Sequence, residues 1–149
     1  MAIDEAKLGA FVQQAFGDLG GALTAGLVSI GDKLGLYRAL AARPCTPAEL
    51  AKETGTAERY IREWCAQQAA AGYIAYDAAS QRFSLTPEQT EALTNEASPA
   101  CVLGGFQSLT AATRTFPQLL DAFRTGKGVG WDQHEPDLFE GTRRFFRPG

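Results

Sequence analysis

Chemistry in this chain would have to come from the stretch Gly126–Asp137, GKGVGWDQHEPD, where histidine, lysine and acidic residues gather. It holds the only histidine, His134, beside Asp132, Glu135 and Asp137, and a glycine-rich loop carrying Lys127. A zinc-type site needs several convergent ligands, commonly two histidines one helical turn apart. His134 has no such partner, so no metal site is expected. Gly126–Gly130 has the composition of a phosphate cradle. It follows a predicted helix rather than a strand, however, and lacks the Gly-Lys-Ser or Gly-Lys-Thr that would reach phosphates and magnesium. It reads as a flexible loop. Serine, histidine and aspartate are present without a nucleophile elbow to orient them, so no catalytic residue is assigned.

Aromatic residues give the same region a second meaning. Trp131, Phe139, Phe145 and Phe146 flank His134 in sequence, and Phe106 lies on an earlier predicted helix. Two readings stand. The rings fill a helical core, or they wall a small-molecule pocket, since apolar concavities with a few polar groups are where such ligands bind. The candidate pocket or lid residues are Phe106, Trp131, His134, Phe139, Phe145 and Phe146.

The elements that would position these residues are mostly helical. From Gly20 onward Leu23, Leu27, Ile30, Leu34 and Tyr37 recur at spacings of four and three, a narrow coiled-coil-like stripe. Gly20, Gly21, Gly26 and Gly31 interrupt this segment. Glycine is a poor helix former, so close approach of another helix, within the chain or from a second copy, is the packing reason to look for. Thr46-Pro47-Ala48-Glu49 supplies an N-cap, a proline at the first helical position and the carboxylate of a capping box. That helix stops at Gly55. Thr56 is expected to cap the next, which places Ile61, Trp64, Cys65 and Gln68 on one face and stops at Gly72. The period then changes to two: Tyr73–Tyr76 and Arg82–Leu85 read as strands of a hairpin. Helix, turn, helix and hairpin make a winged helix. Thr86-Pro87-Glu88-Gln89 repeats the capping pattern, and Ser98-Pro99 is expected to open a helix bearing Leu103, Phe106 and Leu109. Phe116, Leu119, Leu120 and Phe123 line another helix up to Gly126, and a last one runs from about Pro136 to Phe146.

A winged helix suggests DNA, so charge must decide. The 149 residues carry a net charge of −3. Between Arg43 and Leu85 the bases Arg43, Lys52, Arg59, Arg62 and Arg82 are matched by Glu49, Glu53, Glu58, Glu63 and Asp77. A surface built to neutralise phosphates is expected to be basic, so DNA binding is disfavoured. Cys45, Cys65 and Cys101 are odd in number and far apart, which reads as reduced thiols rather than a disulfide framework. No signal peptide or membrane-length apolar run is visible, so a soluble, cytoplasmic protein is expected.

The order of motifs resembles a known family. GDKLGLYRAL (Gly31–Leu40), TPAELAKETGTAERYIREWCAQQAAAGYI (Thr46–Ile74) and RFSLTPEQ (Arg82–Gln89) are similar to the N-terminal region of bacterial S-adenosylmethionine-dependent methyltransferases. AFRTGKGVGW (Ala122–Trp131), HEPDLFEG (His134–Gly141) and RFFRPG (Arg144–Gly149) resemble the linker into the catalytic domain of that family. The resemblance implies a homodimer, linker helices that help close the substrate pocket, and a following Rossmann-like domain. That domain's strand and glycine-rich turn for the cofactor do not occur here.

The sequence therefore predicts a mainly α fold, with N-terminal dimerisation helices (1–42), a winged helix-turn-helix with a small β-hairpin (43–95) and a helical linker or lid (96–149). The predicted role is a non-catalytic accessory domain of a methyltransferase, forming a homodimer through Leu23, Leu27, Ile30, Leu34 and Tyr37 and enclosing a small-molecule substrate. S-adenosylmethionine is implied for the full-length family, and no cofactor is expected on this chain alone. The catalytic domain would be supplied in cis or in trans. A DNA-binding regulator and a stand-alone small-molecule-binding protein or pocket enzyme are the alternatives.

Overall fold

The computed structural model describes residues 2–147, and among them are eight α-helices and one two-stranded antiparallel sheet. Helix α1 (Glu5–Lys33) begins where the Asp4 carboxylate accepts the backbone N–H groups of Ala6 and Lys7. Beyond its end, Gly35, with a φ of 70°, turns the chain into α2 (Leu36–Ala42). The stripe of the sequence is thus divided: Leu23, Leu27 and Ile30 lie on α1, Leu34 caps it, and Tyr37 belongs to the next helix.

Helix α3 (Pro47–Thr54) carries the expected capping box. The Thr46 hydroxyl accepts the Glu49 N–H, and the Glu49 carboxylate accepts the Thr46 N–H. Helix α4 (Glu58–Ala70) is capped by Ala57 with no side-chain hydrogen bond, not by Thr56. Thr56 instead closes α3: its N–H bonds the Ala51 carbonyl and its hydroxyl meets that of Thr54. The wing is shorter than expected, β1 (Ala75–Asp77) pairing with β2 (Arg82–Ser84). Tyr73 still closes α4, its N–H bonding the Gln68 carbonyl around Gly72. Cys45 bridges to Phe83 on the free side of β2.

Helix α5 (Pro87–Thr94) has its own capping box from Thr86 and Gln89. Ser98-Pro99 lies in a turn rather than at a helix start. The Ser98 carbonyl accepts the Cys101 N–H, and α6 (Leu103–Thr113) begins later. Helices α7 (Phe116–Thr125) and α8 (Pro136–Phe146) follow, joined by the glycine loop and a 3-10 turn at Trp131–Gln133.

One core holds the molecule together. Val28, Leu36, Tyr37 and Leu40 pack with Leu50, Ile61, Trp64, Cys65, Ile74 and Phe83, and the cluster continues to Cys101 and Leu103. It crosses both boundaries drawn from the sequence. The predicted inward face of α4 is buried throughout: Ile61, Trp64 and Cys65, with Gln68 accepting the Tyr37 hydroxyl. Gly31 shows why one glycine is needed in α1. A Cβ there would lie 2.5 Å from the Trp64 ring and 2.8 Å from that of Tyr37. Gly20, Gly21 and Gly26 face open space within the chain.

Candidate functional site

The lid candidates fall into three groups. Gly130 leads into the 3-10 turn, its N–H bonding the Gln133 side-chain carbonyl at 2.8 Å. This turn and the start of α8 place the Trp131 ring 5.6 Å from His134 and 5.0 Å from Phe139, both edge to face. Trp131 stays 68% exposed, so its outer face is free. The Nδ1 of His134 is buried with no hydrogen-bond partner among the described residues. Phe145 and Phe146 form a second pair at the far end of α8, 5.2 Å apart, with Phe145 seated over Gly105. Phe106 stands apart from both, edge-on to Tyr73 and packed against the core. The loop itself, with Pro117, Asp121, Lys127, Val129 and Gln133, lines a concavity of about 480 Å³ beside α7.

Helix α8 is fixed from two sides. Against α6 it crosses at glycines: a Cβ on Gly141 would lie 2.6 Å from the Ser108 backbone nitrogen, and one on Gly104 would lie 2.6 Å from the Gly141 carbonyl. Towards α1 it is held by charge. Arg144 donates to Asp32 at 2.7 Å, to the Gln107 side-chain carbonyl at 2.7 Å and to Glu96. Two turns earlier on α8, Asp137 accepts from Lys33 at 2.6 Å and from Gln107 at 3.0 Å. The adjacent residues Asp32 and Lys33 thus grip both ends of the helix. The Arg144 guanidinium bonded to Glu96 holds that carboxylate below its usual range, and Lys33 does the same to Asp137. None of these pairings was assigned from the sequence.

The dimer candidates separate by burial. Leu23, Ile30 and Leu34 are exposed, Leu27 is half-buried, and Tyr37 is only 1% exposed and lies in the core. Tyr37 is therefore not available to a second chain. Its burial follows from the turn at Gly35, which rotates it away from the α1 stripe. A groove of about 610 Å³ opens between α1 and α4, lined by Leu27, Ile30, Leu34, Tyr60, Ile61 and Trp64. Two bonds fix its walls: the Trp64 indole N–H to the Leu27 carbonyl at 2.9 Å, and Gln67 to the Thr24 hydroxyl at 2.8 Å.

On the winged helix three of the five basic residues are already engaged. Arg43 pairs with Glu53 at 2.8 Å, Arg62 with Glu58 at 2.7 Å, and Arg82 with both oxygens of Glu49 at 2.6 and 2.9 Å. Among the described residues no three His, Cys, Asp or Glu side chains converge as a metal site, and no helix is long and apolar enough to cross a membrane.

The helix-turn-helix and its wing coincide with a known domain family, whose model matches residues 22–95. That family is the Rv2258c-like winged helix-turn-helix domain, and this segment is similar to it. The match begins inside α1 and ends just after α5, so the family takes in the core-forming half of α1. Solved structures with the same fold extend over almost the whole chain. The mitomycin 7-O-methyltransferase MmcR is 24% identical with a TM-score of 0.75, over 97% of this chain and 46% of its own. An O-methyltransferase family protein from Burkholderia thailandensis is 15% identical with a TM-score of 0.70, over 99% of this chain and 43% of its own. N,N-8-amino-8-demethyl-D-riboflavin dimethyltransferase from Streptomyces davawensis is 22% identical with a TM-score of 0.67, over 94% and 43%. The chain spans less than half the length of these proteins. No curated protein sequence matches it.

Proposed function

We propose that this chain is the accessory domain of an S-adenosylmethionine-dependent methyltransferase, non-catalytic by itself, serving to form a homodimer and to enclose a small-molecule substrate. One observation carries the reading. The winged helix and the helices after it share a single fold with methyltransferases more than twice as long, over 97% of this chain in the case of the mitomycin enzyme. What those proteins have beyond the shared part is room for a catalytic domain, which this chain would work with in cis or in trans.

The exposed Trp131 face beside His134 and Phe139, set on the turn that leads into the Arg144-held α8, suits a wall of the substrate pocket. The exposed leucines and Ile30 of α1 suit a contact between copies. The three cysteines are free and buried, in keeping with a reducing cytoplasm. DNA recognition is the weaker reading, because the guanidinium groups of Arg43, Arg62 and Arg82 are committed to carboxylates that would also repel phosphate.

Reading the coding sequence downstream of Gly149, and its immediate neighbours, tests the proposal. It is expected to encode a strand, a glycine-rich turn and a helix of the cofactor-binding type, with a carboxylate at the end of the next strand. A transcription unit with no such domain in cis or nearby would count against it.

A further inference from the structure

Side chains from three helices close into one hydrogen-bonded circuit. Lys33 of α1 donates to one oxygen of Asp137 at 2.6 Å, and Gln107 of α6 donates to the other at 3.0 Å. The Gln107 side-chain carbonyl accepts from Arg144 at 2.7 Å, and Arg144 donates to Asp32, also at 2.7 Å. Asp32 and Lys33 are neighbours in the chain, so the circuit is complete. Gln107 sits at its centre, only 7% exposed. A guanidinium only donates and a carboxylate only accepts, which leaves the Gln107 amide a single orientation. The circuit also has polarity. Asp137 and Arg144 are two turns apart on α8, about 10.5 Å, and each meets its opposite charge on α1. Sliding α8 by one turn would unpair both. A polar network whose members are all satisfied specifies one arrangement of the elements that carry it.

This circuit bears on the proposed pocket wall at Asp137. That residue lies in the first turn of α8, between His134 and Phe139, whose rings stand 5.6 and 5.0 Å from that of Trp131. The glycine crossing holds α8 one turn further on, at Gly141. The other ion pair at this end, Arg114 with Glu135, is longer at 3.5 Å, and its side chains are 57% and 46% exposed. Lys33–Asp137 is the shorter pair and the one backed by a buried side chain. We infer that Lys33 and Asp137 are positioning residues of the substrate wall: through Gln107 and Arg144 they set where Trp131, His134 and Phe139 stand, and they tie that wall to the end of α1. The inference rests on the pocket reading above and deepens it by naming what places the wall.

The full chain has a single histidine, so the NMR signals of its imidazole read the wall directly. They lie beside the Trp131 ring, whose ring current displaces them, and Trp131→Ala gives their undisplaced positions. Lys33→Glu sets like charges face to face at a pair 52% and 30% exposed, outside the core. Its His134 signals are expected to move towards those of Trp131→Ala. Lys33→Arg keeps the cation and should hold them at the wild-type positions. Lys52→Glu makes the same change of charge on α3, off the circuit, and should also leave them in place. Should Lys33→Glu lose helix by far-UV circular dichroism, Lys33→Gln, which removes only the charge, is expected to move the signals the same way. His134 signals unmoved by a folded Lys33 variant, or moved as far by Lys52→Glu, would overturn the inference and leave the accessory-domain reading standing. Unchanged methyl transfer in Trp131→Ala and His134→Ala would instead remove the wall itself, and the positioning role with it.

Discussion

Arg144 donates to both carboxylate oxygens of Asp32, at 2.7 and 3.3 Å, across 112 residues of chain. Both side chains are largely out of solvent, 15% and 8% exposed. The pair joins the last turn of α1 to the last turn of α8, and so joins the helix proposed to meet a second copy to the helix that carries Phe139, Phe145 and Phe146, three of the proposed lid aromatics. Burying a carboxylate is unfavourable unless its partner stays in place. Arg144→Ala leaves Asp32 without its guanidinium and Glu96 without its own, and should cost about 3 kcal/mol. Urea unfolding followed by circular dichroism measures it. A loss below about 0.5 kcal/mol would mean that water replaces the guanidinium and that the glycine crossing and the Lys33–Asp137 pair suffice to hold α8.

The crossing of α6 and α8 makes a contrasting prediction. Gly141→Ala puts a methyl group within 2.6 Å of backbone on α6, and the helices must separate or bend, at about 1–3 kcal/mol. Gly20→Ala meets nothing in its own chain, and the same change should stabilise α1 by somewhat under 1 kcal/mol. Thermal melts of the two variants should move in opposite directions. A fall for Gly20→Ala would indicate that a second copy already occupies that space.

Acid should weaken the tie between α3 and the wing. The Arg82 guanidinium, helped by the Thr46 N–H, holds the Glu49 carboxylate down to about 2, against 4.5 for an ordinary glutamate. A depressed carboxylate stabilises the fold above its unfolded value and loses that contribution as pH falls towards its folded value. Melting temperature should therefore be level above about pH 5 and fall between about 4.5 and 2, with Glu96 and Asp137 shifted in the same direction and adding to the slope. Glu49→Gln should flatten that slope. An unchanged acid profile in this variant would remove Glu49 from the account.

The winged helix was legible because its signals are local. Thr46-Pro47-Ala48-Glu49 and Thr86-Pro87-Glu88-Gln89 each specify a cap within four residues, and Gly55, Gly72 and Gly126 stop helices where their positive φ is needed. Thr56 and Ser98 misled because threonine and serine serve turns as readily as helix starts. Tyr37 misled for a related reason: the spacing of the stripe ran on through Gly35, where the backbone does not. The clasp from Arg144 to Asp32 could not be read at all, since nothing local marks a pair that only the packing of both α1 and α8 against α6 brings together. Of the lid candidates, Trp131, His134 and Phe139 meet as neighbours in sequence often do, whereas Phe106 was drawn into the core by Tyr73.

Trp131 and His134 should matter for turnover and little for stability. Trp131 is 68% exposed, so Trp131→Ala should change unfolding free energy by about 0.5 kcal/mol or less. With a catalytic domain present, Trp131→Ala and His134→Ala should each reduce methyl transfer, seen as a raised KM if the rings only bind substrate. Unchanged kinetics in both variants would remove the site and leave the scaffold.

The most direct test of the accessory-domain reading is calorimetric titration of S-adenosylmethionine into this 149-residue chain and into the same chain together with its proposed catalytic domain. The chain alone should give no binding heat above dilution, and the pair a site of one cofactor per chain. A stoichiometric micromolar site on the chain alone would contradict the account, because it would place cofactor binding within the winged helix and its linker.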